Sequence, residues 1–310
     1  QRGQVGAARW RESSGRSQYE RRDRRDGEES NVIKQEEGKD YLYGINPILN
    51  ALKSQRRELL ELFVQEGSKT DAKKDAGAAR AILDLAGQAG LAPRPVDKHQ
   101  LNLLSDNRPH QGFILKASPL EFTNIDALES ANHNEVWLAL DEVWDPQNLG
   151  ALLRSAHFFG LDGVVTCAKN SARLSPTVSK ASAGAVEAME VRAAANMPRL
   201  LRAAREAGWR VVGLSLGEGA LPLEEVAAAG AAAASGERQW GGPTVLVLGN
   251  EGHGLRTNVL RQCNVLCKIP GAEDASVDSL NVSVTGGIVM HHFMMTQQQQ
   301  DKKEASELVR

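Results

Sequence analysis

Three short stretches carry side chains whose types and spacing suit chemistry on a small organic ligand. The first is Asn148-Leu-Gly-Ala-Leu-Leu-Arg154. Arg154 lies among Leu152, Leu153, Ala156 and Phe158, and an arginine in apolar company ordinarily has an anion or a carboxylate as partner. The second is Gly249-Asn250-Glu251-Gly252-His253-Gly254, which places Glu251 straight after an all-apolar strand. A tight turn accounts for the glycines but not for that carboxylate. The third is Ser279-Leu280-Asn281, ahead of an apolar helix. Ser279 is suited to N-capping there, as Asn148 is at its own helix start. His291-His292, late in the last helix, reads as packing or surface and not as a ligand pair.

Two other patterns fail on context. Gly213-Leu-Ser215-Leu-Gly217 is a literal G-x-S-x-G, but a nucleophile elbow needs a helix directly after the serine, and Glu218-Gly-Ala-Leu-Pro follows instead. The glycines at 249, 252 and 254 have the spacing G-x-x-G-x-G, not the G-x-G-x-x-G of a dinucleotide fingerprint. Cys263 and Cys267 share one face of a strand, with no third or fourth ligand nearby in sequence, so we expect no metal site.

These stretches need elements to hold them. Val245 to Leu248 reads as a buried strand ending in the glycine-rich turn, and Val265 to Ile269 as a second strand ending at Pro270. An apolar helix follows from about Leu280. Glu135 to Leu140 is a strand; Asp145 then caps a helix with Pro146 just inside it, Leu149, Leu152, Leu153 and Ala156 form its buried stripe, and Gly160 stops it. Val164 to Cys167 and Val211 to Leu214 are strands. Helices start near Pro176 and Pro198, and Gly217 to Gly242 is an irregular Ala- and Gly-rich insertion. This β-α-β-α alternation predicts a mostly parallel sheet with helices on both faces, and loops at strand ends are the usual place for a ligand.

Upstream, Tyr41 to about residue 118 reads as a small α/β unit. Asn46 caps its first helix with Pro47 at the first helical position, Leu59 to Val64 is a strand, Ala78 to Ala89 a helix, and Val96 and Phe113 to Lys116 lie in short strands. Polar residues 119–134 form a linker to a domain spanning 135–310. Residues 1–40 have almost no apolar periodicity. Arg2, Arg9, Arg11, Arg16, Arg21, Arg22, Arg24 and Arg25 outnumber Glu12, Glu20 and Asp23, and the sign reverses from Asp26. This reads as a disordered arm, either RNA-contacting, or the remnant of an organelle-targeting segment, or a solvated linker.

The chain has 310 residues, 41% hydrophobic and 25% charged, with a net charge of −2. A nucleic-acid surface on it must therefore be local. Three cysteines argue against a disulfide scaffold. The longest alanine run, Ala231 to Ala234 with Ala227 to Ala229 before it, is far too short to span a membrane.

Taken together, the three stretches resemble the signature motifs of the SpoU/TrmH family of S-adenosylmethionine-dependent RNA ribose 2′-O-methyltransferases. They stand in the family's order over about Glu135 to Thr296. Tyr43-Gly-Ile-Asn-Pro-Ile-Leu and His110-Gln-Gly-Phe resemble its ribosomal-protein-like RNA-binding domain. The resemblance is nearest to members that methylate a guanosine of the large mitochondrial rRNA, which implies a mitochondrial matrix location; tRNA as substrate, or a non-catalytic RNA-binding assembly factor, are the alternatives. The resemblance implies a trefoil knot at the carboxyl end, which pattern rules would exclude, and a homodimer. It implies S-adenosylmethionine bent within the knot against Gly249, Ile269 and Leu280, with Leu214-Ser215 nearby. The loop from Gly271 to Asp278 looks longer and more acidic than the family's.

The chemistry so implied is in-line displacement on a sulfonium, with no metal needed. The 2′-hydroxyl is a very weak acid, so its proton must be taken or the developing alkoxide stabilised. The family assigns Arg154 as the base, although a guanidinium hardly deprotonates in proteins. Arg154 either lowers the hydroxyl's pKa by its charge or orients a phosphate oxygen that relays the proton. Asn148 is expected to fix the ribose or Arg154, Glu251 to pair with Arg154 or a neighbouring donor, and Ser279 and Asn281 to position substrate and the cofactor loop.

Overall fold

The computed structural model describes residues 33–67, 76–128, 135–226, 243–272, 276–277 and 279–308. Most of the expected charged arm, residues 227–242 of the Ala- and Gly-rich insertion, and part of the Gly271 to Asp278 loop lie outside these residues.

A four-stranded sheet comes first, built from β1 (Asp40–Tyr43), β2 (Leu59–Gln65), β3 (Pro93–Val96) and β4 (Phe113–Ala117) in the order β1-β4-β2-β3. β4 runs antiparallel to both its neighbours, and β3 runs parallel to β2. Helices α1 (Ile45–Ser54) and α2 (Ala76–Gln88) bury Ile48, Leu52 and Ile82 against Leu42, Leu62 and Phe113. A third helix, α3 (Lys98–Leu104), is capped by Asp97, whose carboxylate accepts from the Gln100 amide at 2.7 Å. Asn46 does not cap α1. The cap is Gly44, at φ 92°, a backbone conformation that a side chain strains, and Asn46 falls inside the first turn. Pro47 is tolerated there because the first-turn amides have no partner within the helix.

The second sheet has eight strands and every pairing in it is parallel. In chain order these are β5 (Thr123–Ile125), β6 (Val136–Leu140), β7 (Gly163–Cys167), β8 (Val191–Ala194), β9 (Arg210–Leu214), β10 (Leu221–Pro222), β11 (Thr244–Leu248) and β12 (Val265–Lys268). Their spatial order is β10-β12-β9-β11-β6-β7-β8-β5. All five residues of β6 and of β11 are buried, as central parallel strands covered on both faces require. Period-2 alternation divides them. Leu138, Leu140, Leu246 and Leu248 face α4 (Pro146–Phe159), α5 (Pro176–Ala181), α6 (Ala185–Ala188) and α9 (Val282–Leu308). Ala139, Val245 and Val247 face α7 (Met197–Glu206) and α8 (Thr257–Leu260).

The stretch 119–134, read above as a linker, contributes β5 to this sheet. Thr123 to Ile125 pair with Arg192 to Ala194 of β8, and Leu120 and Leu128 are buried. Three mostly exposed residues carry too little alternation to signal a strand; the open edge of β8 holds them by backbone hydrogen bonds. The described part of the 217–242 insertion likewise supplies β10 at the opposite edge, against β12.

Candidate active site

The register of the large sheet decides what can meet. Leu140 of β6 pairs with Leu248 of β11, so the loops leaving the carboxyl ends of these two strands lie side by side. The first loop leads into α4, where Asp145 accepts from the Gln147 amide at 3.0 Å with Pro146 in the first turn, so that Asn148 sits at the helix start. The second is a tight hairpin closed by the Asn250–Gly254 pair, with N···O distances of 3.0 and 2.8 Å. Only glycine fits at 249: a Cβ there would lie 2.2 Å from the Gly254 carbonyl carbon. The third segment arrives with α9, which packs on α4 and β11 through Gly286, whose missing Cβ leaves room for Leu152 and Leu248.

Asn148, Glu251 and Asn281 converge at this junction. Glu251 Oε1 accepts from the side-chain amide of Asn148 and, at 3.0 Å, from that of Asn281. The Asn281 amide also reaches Asn148 Oδ1 at 3.1 Å, and Asn148 donates to Asp145 at 3.0 Å. Glu251 thus has neighbouring amide donors, as one of the two expectations for it required, and not Arg154. At the start of α9, Asn281 Oδ1 accepts from the Ser283 amide at 2.9 Å. Asn281 therefore does the capping expected of Ser279, which is exposed and makes no hydrogen bond among the described residues.

Arg154 is exposed on α4 and makes no hydrogen bond or ion pair among the described residues. The carboxylate partner suggested by its apolar neighbours is not there, because the guanidinium points away from the stripe that Leu152, Leu153 and Ala156 bury.

The other expected contacts share one edge of the sheet. Leu214 ends β9 and Ser215 follows it, Gly249 follows β11 and Ile269 follows β12, and these are three adjacent parallel strands. The Ser215 amide donates to the Cys267 carbonyl at 3.0 Å, which ties two of these loops together. Leu280 is half exposed on the way into α9. A separate cleft of about 410 Å³ opens beside them, lined by Trp144, Asn148, Asn250, Glu251, His253 and Val282 among others. None of the five residues expected to hold a cofactor lines it.

Two profile matches decide the family. Residues 135–291, half of the chain, match the SpoU rRNA methylase family, and residues 41–123 match the substrate-binding domain of RNA 2′-O ribose methyltransferases. The chain belongs to the SpoU rRNA methylase family. Among its relatives is mitochondrial rRNA methyltransferase 1 of Homo sapiens, 36% identical over 264 residues, which cover 81% of this chain and 71% of that protein. The protein of the same name from Dictyostelium discoideum is 37% identical over 251 residues, 71% of this chain; the match spans 45% of that relative's length. The fold of this SpoU methylase resembles that of an AdoMet-bound rRNA methyltransferase from Sinorhizobium meliloti, with a TM-score of 0.63, 22% identity, and coverage of 83% of this chain and 87% of that one.

Sequence reading missed the clamp that holds the SpoU hairpin in place. Asp141, fully buried at the end of β6, accepts from the backbone amide of Arg256 at 3.0 Å and from its Nε at 2.9 Å. Arg256 also pairs with Glu142 at 3.0 Å, and Asn250 donates to the Glu142 carbonyl at 3.0 Å. The hydrogen bond to Asp141 holds the Arg256 guanidinium above its ordinary pKa. A carboxylate directly after a buried strand was the available signal; its partner, 115 residues on, had none. The cysteines are thiols held protonated by burial: Cys167 is pushed up to about 11, and Cys263 and Cys267 to about 12. Thiolate, the form that binds metals, is thereby disfavoured at all three.

Proposed function

We propose that this chain transfers a methyl group from S-adenosylmethionine to a ribose 2′-hydroxyl, that of a guanosine in the large-subunit mitochondrial rRNA. The observation that carries the reading is the convergence of Asn148, Glu251 and Asn281 beside three adjacent strand ends, within a chain matching both the SpoU methylase and its substrate-binding domain. The names of the human and Dictyostelium relatives support rRNA as substrate and the mitochondrion as location; the matrix follows from where that rRNA would be.

The strand-end loops suit an adenosine-bearing ligand. They offer backbone groups at Leu214, Ser215, Gly249 and Ile269, and exposed apolar side chains at Leu216, Val277 and Leu280 to cover a purine. When bound, S-adenosylmethionine would supply the methyl group from its sulfonium, with the sulfur departing as a neutral thioether. The chain's own residues then act on the acceptor. Asn148, held by Asp145 and Glu251, orients the ribose. Arg154 brings a fixed positive charge that binds the neighbouring RNA phosphate and stabilises the alkoxide, while a phosphate oxygen takes the proton. Ser279 and Asn281 position the acceptor and the loop that lines the cofactor.

The strand order supports a knotted carboxyl end: β11 slots between β6 and β9, and β12 then returns beyond β9 before α9 packs back on α4. Val284, Ile288 and Met295 form an exposed apolar stripe along α9, with Phe158 exposed on α4. This stripe fits a homodimer interface. The deciding experiment incubates purified protein with S-adenosylmethionine and a transcript of the large mitochondrial rRNA, then maps ribose methylation. A single 2′-O-methylguanosine is the expected result. Methylation of a tRNA only, of a base, or of nothing overturns the proposal.

A further inference from the structure

Trp144 stands out among the described tryptophans. Trp137 and Trp209 are buried in the core, whereas Trp144 is 64% exposed. It forms part of the wall of the 410 Å³ cleft that also holds Asn148 and Glu251. A large aromatic face left open to water beside polar groups is a face available to a ligand.

The indole is not on a loose loop. Val143 before it is buried, and the Val143 carbonyl accepts from the Ala172 amide at 3.0 Å. Glu142 is held by Arg256, and Asn170 donates to it at 3.1 Å. Asp145 after it caps α4. The ring is therefore carried on a backbone fixed from both sides, which limits the entropy lost on binding. The cleft combines this apolar wall with polar groups at its edge. Glu251 Oε1 is occupied by the two asparagine amides, whereas Oε2 has no protein donor among the described residues. The exposed His253 lies on the same cleft.

We propose that Trp144 is a stacking platform for the unpaired base of the nucleotide being methylated, which the cleft seats beside Asn148 and Glu251. The inference rests on the reading of the chain as an RNA ribose methyltransferase and adds how the acceptor nucleotide is held. RNA is read chiefly where bases are unstacked and laid on aromatic side chains. A ribose positioned at Asn148 brings its own base into the same cleft. The five residues expected to hold the cofactor do not line the cleft, and the hairpin that follows Gly249 forms the wall the two share. Trp144 acts here as a specificity residue and takes no part in bond-making.

The test uses two labelled single-stranded RNA pentamers, one with a single guanine and otherwise abasic, the other abasic throughout, titrated by fluorescence anisotropy. Wild-type protein is expected to bind the guanine-bearing pentamer about tenfold more tightly, within the range one base–aromatic stack produces. Trp144→Ala should abolish that difference, and Trp144→Phe should keep most of it. In methyl transfer, Trp144→Ala should raise KM far more than it lowers kcat. Equal wild-type affinity for the two pentamers, no binding of either, or an unchanged difference in Trp144→Ala overturns the platform. If the difference is present and Trp144-dependent but no RNA is methylated, the methyltransferase reading falls and base stacking stands. If Trp144→Ala methylates rRNA with wild-type kcat/KM, the reverse holds.

Discussion

Arg57, in the turn before β2, and Glu187, on α6, form a bidentate ion pair between the small sheet and the large one, with no side-chain exposure on either partner. The distances are 2.7 Å from Nε to Oε2 and 3.0 Å from the second nitrogen to Oε1. Arg57 is further held by Asp40 at 2.7 Å and by the Ser118 carbonyl at 2.8 Å, and Ser179 donates to Glu187 at 2.7 Å. Both buried charges thus have several hydrogen-bond partners. Nearby, Lys180 reaches Gln111 at 2.8 Å and Arg56 reaches the Val186 carbonyl at 3.1 Å. Among the described residues, α1 and β1 of the small unit pack on the α5–α6 segment, which also packs on α4.

Removing Arg57 leaves the buried Glu187 carboxylate with the Ser179 hydroxyl alone among the described residues, and removing Glu187 leaves the buried guanidinium with Asp40 and the Ser118 carbonyl. Arg57→Ala or Glu187→Ala is expected to lower stability by about 3–5 kcal/mol, the usual cost of breaking a buried pair. Urea unfolding measures this. The double replacement by apolar residues of similar volume should recover much of the loss, whereas a loss below 1 kcal/mol in the single variants would show that water reaches the pair.

How much of this was legible depended on whether a partner lay near in sequence. The Asp145-Pro146 start and Gly160 stop of α4, and the all-apolar β6 and β11, were readable because capping, φ > 0 at a helix end and burial on two faces leave local marks. The three motif stretches were visible as chemistry, but their meeting was not: Asn148 and Glu251 are 103 residues apart, and only the β6–β11 register joins them. Asn46 misled because proline after asparagine looks like a helix start, while Gly44 carries the positive φ that begins the helix two residues earlier. β5 was missed because its hydrogen bonds come from β8, about seventy residues on, and nothing in Thr123 to Ile125 announces them.

His110 provides a pH prediction. It is buried; its Nδ1 accepts from the Gly112 amide at 3.0 Å, and Nε2 lies 3.2 Å from Asn102 Oδ1. Burial first, then Lys98, holds its pKa below the ordinary histidine value. The unfolded chain therefore binds more protons than the folded one between the folded value and the usual value of about 6.5, and stability must rise with pH across that window. Lowering the pH from 7 through this range should destabilise the protein progressively. The slope, read from thermal unfolding at several pH values, should shrink in His110→Asn; an unchanged slope would place the titrating group elsewhere.

Arg256 gives a prediction about the clamp. Its loss leaves Asp141, which has no side-chain exposure, with an unpaired charge, whereas Arg256 itself is 37% exposed. Arg256→Ala is expected to cost about 2–3 kcal/mol, as for a charged hydrogen bond with one partner buried. It should also lower methyl transfer, because the Asn250–Gly254 hairpin that carries Glu251 would lose its anchor. Arg256→Lys should restore part of the stability but less of the rate, since an ammonium cannot match the fork at Asp141. Equal rescue of both would show that charge alone suffices.

Arg154 separates binding from chemistry. Its guanidinium is exposed and makes no hydrogen bond or ion pair among the described residues, so truncating it removes no packing or pairing on which the fold depends. Stability of Arg154→Ala should lie within about 0.5 kcal/mol of wild type, as for a surface substitution. S-adenosylmethionine affinity, measured by calorimetric titration, should change little, because the strand-end loops proposed to hold the cofactor do not include this residue. Turnover should fall by two orders of magnitude or more, as when a charge that stabilises an oxyanion is deleted. If the charge acts through a phosphate, Arg154→Lys should keep a measurable fraction of the rate, and an RNA with a neutral methylphosphonate beside the acceptor ribose should lose activity with wild-type enzyme and lose little more in Arg154→Ala. Full activity in Arg154→Ala would remove the guanidinium from the mechanism and turn attention to Glu251, whose Oε2 accepts from no protein donor among the described residues, as the group that takes the proton.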